Sequence, residues 1–169
     1  MRLNVNRFTV ILATFLLFSF IPATLQAATF QLDNFNHSDG TVDVLYDFDG
    51  PVAGFQFDVS GLALTDGATG GDAGNVGFNV ASGTSTVLGF SFDAAIIPAG
   101  SGVLTTLSYS EILDDQGGIS CISATIATAP GGSTEYASDG GECIDTTQLA
   151  SSALTLGAFD SSGSLEVLY

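Results

Sequence analysis

The stretch from Val52 to Tyr109 most constrains what this chain can fold into. In VAGFQFDVS, Phe55, Phe57 and Val59 fall on one side of an extended chain, and Gln56 and Asp58 on the other. The same two-residue period returns in VGFNV, TVLGFSF and GVLTTLSY. Successive side chains of a strand point to opposite faces, so such runs, broken by Gly, Asp and Pro, predict half-buried antiparallel strands. No segment after residue 30 carries a convincing helical period.

The same reading along the chain predicts strands at Thr29–Phe35, Thr41–Phe48, Val52–Ser60, Val76–Ala81, Ser85–Asp93, Gly102–Tyr109, Ser120–Ala127 and Ser133–Ala137, with two more at Ala153–Leu156 and Ser164–Tyr169. Turn clusters such as Ser38-Asp39-Gly40, Asp49-Gly50-Pro51 and Pro130-Gly131-Gly132 separate them. About nine short strands at this spacing predict an all-β fold, an antiparallel β-sandwich of jelly-roll type, with a barrel as the structural alternative.

The first residues have a different character. Arg2 and Arg7 precede an apolar run, Phe8–Phe20, which Pro22 ends, and Ala27 offers a small residue before a cut. This is the layout of a secretory signal peptide over residues 1–27. The run is shorter than the roughly 20 apolar residues that span a bilayer, so no stable membrane insertion is expected after cleavage. Removal of this segment takes away both basic residues, because the 18 Asp and Glu all lie beyond it and no Lys or Arg does. Phosphate binding needs Lys and Arg, so nucleic acid is excluded as a partner. Cys121 and Cys143, the only two cysteines, are expected to form a disulfide in an exported chain.

Residues 28–147 make one ordinary domain. Residues 148–169 repeat its start: Ser38–Tyr46 reads SDGTVDVLY and Ser161–Tyr169 reads SSGSLEVLY, while Phe30–Phe35 matches Leu154–Phe159 after a one-residue shift. This predicts that 148–169 begins a second, truncated repeat; the competing reading is an extra edge strand of a single domain.

The run GFQFDVSG, followed by STVLGFSFDAAIIPAGSGVLTTLSYS, resembles the cohesin domain and related cohesin-like sandwiches of exported bacterial proteins. The resemblance covers about residues 30 to 137, including a final strand of the type G-x-L-x-x-L-x-aromatic at Gly102–Tyr109. It implies a nine-stranded jelly roll, often with bound calcium, that binds a dockerin module on one sheet face.

Calcium takes six to eight oxygens from carboxylates and carbonyls on turns. The candidate ligands are Asp47 and Asp49 in DFDG, Asp66 and Asp72 around a Gly-rich loop, and the adjacent Asp114 and Asp115. None of these pairs forms an EF-hand loop, and solvated turn residues are the plainer reading of each pair. Catalysis is not expected, since His37 is the one histidine and sits in an Asn-His-Ser-Asp turn. Two further classes are a carbohydrate-binding module for polysaccharide and a structural adhesin or spacer repeat at the cell surface. With no Trp in the chain, Tyr136 is the candidate exposed sugar platform, while Tyr46 and Tyr109 read as core or strand-end residues.

Overall fold

A computed structural model describes residues 26–113 and 117–146, together with the backbone of 155–156 and 167–168. The strands are β1 (Ala27–Asn36), β2 (Thr41–Phe48), β3 (Gly54–Ser60), β4 (Leu62–Leu64), β5 (Asn79–Ser82), β6 (Thr86–Phe90), β7 (Gly100–Ile112), β8 (Ile119–Thr128), β9 (Ala137–Asp139) and β10 (Ile144–Asp145). Among the described residues one short helix, α1 (Gly71–Asn75), lies between β4 and β5. The strands form two five-stranded sheets, in the orders β4-β7-β2-β1-β9 and β10-β8-β3-β6-β5. All pairings within them are antiparallel except β1 with β9, which is parallel. β11 (Thr155–Leu156) and β12 (Val167–Leu168) pair antiparallel as a separate two-stranded sheet.

Alternation places the core. Phe30 and Leu32 of β1, Val42, Val44, Tyr46 and Phe48 of β2, and Phe55, Phe57 and Val59 of β3 are all buried, while their chain neighbours are partly or fully exposed. The sheets meet through phenylalanine. The Phe30 ring lies 5.4 Å from that of Phe57 and 6.2 Å from that of Phe55, and Phe48 closes on Phe30 edge-on at 5.4 Å. Each such ring contributes about 1.5–3 kcal/mol through burial, so this cluster is what holds the two layers face to face.

Turns fix the register. Gly40 ends the β1–β2 turn at φ +63°, and an added Cβ would sit 2.6 Å from the Tyr109 carbonyl oxygen. The Tyr109 N–H donates to the Gly40 carbonyl at 2.7 Å, so β7 is pinned against this turn. The disulfide forms between Cys121 and Cys143, 22 residues apart, and ties β8 to the segment leading into β10. Buried Thr146 finishes that edge, donating from both its N–H and its hydroxyl to the Gly118 carbonyl.

The structure moves several predicted boundaries. The strand predicted at Val76–Ala81 begins only at Asn79, because Gly71–Asn75 form α1 and Val76 caps it. The strand predicted at Ser133–Ala137 is instead Ala137–Asp139, with Glu135 making one isolated bridge to Thr128. The three-residue β4 and two-residue β10 carry too little pattern to be read from sequence. Residues 1–25, on which most of the signal-peptide reading falls, lie outside the described residues.

Candidate binding face

The outer face of the second sheet is built by the off-phase residues of its strands. On β3, Gly54, Gln56 and Asp58 alternate with the buried Phe55 and Phe57. Gln56 pairs with Ile126 of β8 on one side and Leu88 of β6 on the other. Gly54 pairs with Thr128 and Phe90. Because Gly54 has no side chain, the sheet dips between its neighbours. The result is a shallow cavity of about 200 Å³ lined by Gly54, Gln56, Leu88, Phe90, Ile126 and Thr128, with Phe55 and Gly89 beneath. A Cβ at Gly89 would overlap the Phe55 ring, so glycine is what lets Phe55 lie directly under β6.

This face exposes apolar surface to water. Leu88 is 42 % and Ile126 38 % exposed, and Phe92, just past β6, is 84 % exposed. The Phe92 ring stands edge-on to Phe90 at 5.0 Å. The Ser91 hydroxyl oxygen holds the turn that carries Phe92, accepting from the N–H groups of Asp93 and Ala95. Scattered exposed apolar residues are ordinary; here Leu88, Phe90 and Ile126 lie together around the dip. One side of the patch ends in polar residues, where the Thr86 hydroxyl donates to Asp58 at 2.6 Å.

The outer face of the first sheet is acidic. Asp33 of β1 stands directly opposite Asp43 of β2, and Asp47 pairs with Thr29 and Ser101. Facing like charges is destabilising, and local donors offset it. Asp43 accepts from the Thr106 hydroxyl at 2.6 Å and the Asn34 amide at 3.1 Å, and Asp33 accepts from the Asn34 backbone N–H at 2.8 Å.

The carboxylates proposed as calcium ligands are dispersed or engaged. Asp47 and Asp66 are exposed, and Asp49 accepts from the Ala27 N–H at 3.0 Å. Asp72 lies on α1 and accepts from the Tyr46 hydroxyl at 2.9 Å. Asp114 and Asp115 lie outside the described residues. Among the described residues, no three His, Cys, Asp or Glu side chains gather as a metal ion requires. Burial, reinforced by the Asp72 hydrogen bond and charge, pushes the Tyr46 hydroxyl up to about 12. Burial also raises Tyr109.

Tyr136 is not an exposed platform. It is 7 % exposed, and its hydroxyl donates to the Pro51 carbonyl at 2.8 Å, so it is a core residue with a satisfied polar tip. Tyr46 and Tyr109 are buried as expected, and His37 is exposed in its turn. Among the described residues the exposed aromatic is Phe92, which the sequence reading assigned to a strand. A usable signal was present in the consecutive apolar pairs Val87-Leu88 and Ile126-Ala127. A strand half-buried by strict alternation leaves one member of each pair facing water.

No protein-family model matches the chain, and no curated protein matches it. Among the described residues no helix is long and apolar enough to cross a membrane, and the disulfide suits an oxidising compartment.

Proposed function

We propose that this chain is a non-catalytic extracellular binding module that docks a protein partner on the outer face of its second sheet, as the cohesin domains it resembles dock a dockerin-type module. The observation that carries the reading is the apolar dip formed by Leu88, Phe90 and Ile126 around Gly54, on a chain with 18 Asp and Glu and no Lys or Arg after Arg7. Charge selects the kind of occupant. With no Lys or Arg after Arg7, two copies of the domain repel each other. The fitting partner is a helical protein module with an apolar ridge for the dip and Lys or Arg at its rim for Asp58 and Asp93. Burial of the ridge supplies the affinity, and the opposite charges supply steering and register.

A polysaccharide ligand is the second reading, favoured by the 84 % exposure of Phe92, an aromatic face open to a sugar ring. Titration calorimetry with a calcium-loaded dockerin-type module, run beside retention on a polysaccharide column, separates the two. Saturable binding of the module supports protein docking. Retention on the column with no binding of the module overturns it in favour of the sugar reading. Neither signal leaves a spacer repeat as the function.

A further inference from the structure

The turn between β1 and β2 reads Asn36-His37-Ser38-Asp39. Of the six Asn in the chain, Asn36 alone is followed two positions later by Ser or Thr. Asn-x-Ser, with x other than Pro, is the acceptor pattern for N-linked glycosylation. So short a pattern arises easily by chance, and its placement in the fold decides what it can do.

β1 buries Phe30 and Leu32, so strict alternation would turn residues 34 and 36 toward the core. A bulge prevents this. Asp33 faces Asp43 while Asn36 faces Thr41, so β1 spends one residue more than β2 between the two pairs. Asn34 takes the left-handed conformation at φ +49°, which Asn tolerates better than most residues. The phase of the strand is thereby reset. Half-buried Phe35 packs its ring 6.1 Å from that of Tyr109, and Asn36, His37, Ser38 and Asp39 are all exposed.

The turn is also preformed around the Asn36 side chain. Its Oδ1 accepts from the Ser38 hydroxyl at 2.7 Å and from the Asp39 N–H at 3.2 Å. Its Nδ2 donates to the Asp39 carboxylate at 2.8 Å. Asn side chains commonly close turns in this way. Here the closure holds the amide and the hydroxyl that the pattern requires side by side in solvent.

We infer that Asn36 is a glycosylation acceptor, taking a saccharide from a donor activated as a pyrophosphate ester. In the transfer a bond forms between Asn36 Nδ2 and the anomeric carbon. The bond from that carbon to the pyrophosphate oxygen breaks, and the pyrophosphate leaves with the bonding electrons. One Nδ2 proton passes to a carboxylate base of the transferase. The inference is independent of the docking face. It rests on export of the chain, expected from its first residues and compatible with the disulfide.

Mass spectrometry of the native chain, purified from the cells that make it, is the test. A protease that cuts before Asp releases Asp33–Ser38. This peptide is expected to carry a saccharide, with fragment ions placing it on Asn36 and not on Asn34 or Ser38. Ser38→Ala is expected to abolish the modification and Ser38→Thr to retain it. A peptide linking Cys121 to Cys143 in the same digest verifies that each variant folded. A native chain that has lost residues 1–27 but carries a bare Asn36 overturns the inference and leaves export standing. A chain that keeps those residues and is bare overturns both. Sugar on another residue of the peptide, or sugar that survives Ser38→Ala, also overturns it.

Discussion

The two sheets are alike in size and share one core, yet their outer faces differ in kind. The first turns Asp33, Asp43 and Asp47 to solvent and answers each crowded carboxylate with a local donor such as Asn34 or Thr106. The second turns out Leu88, Phe90 and Ile126 around a glycine floor. Acidity keeps the molecule soluble and separates its copies. Against that background the apolar dip on the second face is the contrast on which the proposed docking rests.

The sharpest way to break this contrast is to remove the floor of the second face. Gly89→Val forces the Phe55 ring out of place and is expected to cost about 3 kcal/mol, the upper range for overpacking a core. Urea unfolding measures it, and an unchanged midpoint contradicts the packing of Phe55 beneath β6.

A smaller effect separates the inner from the outer side of the first sheet. Tyr46 ionises near 10 when unfolded and near 12 when folded, so the folded chain holds its proton more tightly. Its contribution is complete below pH 10 and is lost as pH rises from 10 through 12. Thermal unfolding of the native chain should therefore weaken across that window more steeply than that of Tyr46→Phe. Parallel curves contradict the part-buried Tyr46–Asp72 contact.

The smallest effect lies on the acidic face. Asp33→Asn relieves the charge facing Asp43 and is expected to stabilise by a few tenths of a kcal/mol at low salt, a gain that fades as salt screens the pair. A gain that persists in 1 M salt contradicts the repulsion argument.

Sandwich and disulfide were legible because alternation and paired cysteines act locally: Phe55-Gln56-Phe57 states its two faces without knowledge of its neighbours. The apolar outer face was less legible. Whether Leu88 is core or surface depends on which side of β6 meets the Phe cluster, and both Val87 and Leu88 are apolar. Tyr136 was misjudged for a related reason. Its turn-rich neighbours suggested exposure, while the Pro51 carbonyl that receives its hydroxyl lies 85 positions away in sequence. Helix α1 has five residues, too few to show a period.

The most direct measurement is binding of a calcium-loaded dockerin-type module to three forms of the chain: native, Leu88→Asp and Gln31→Asp. Both variants add one carboxylate at an exposed strand position, on the second and first outer face respectively. Docking on the second sheet predicts that Leu88→Asp weakens binding by at least about 30-fold, corresponding to the roughly 2 kcal/mol of a hot spot, while Gln31→Asp leaves it within about twofold. Equal loss in both variants, or binding that Leu88→Asp leaves intact, would contradict it.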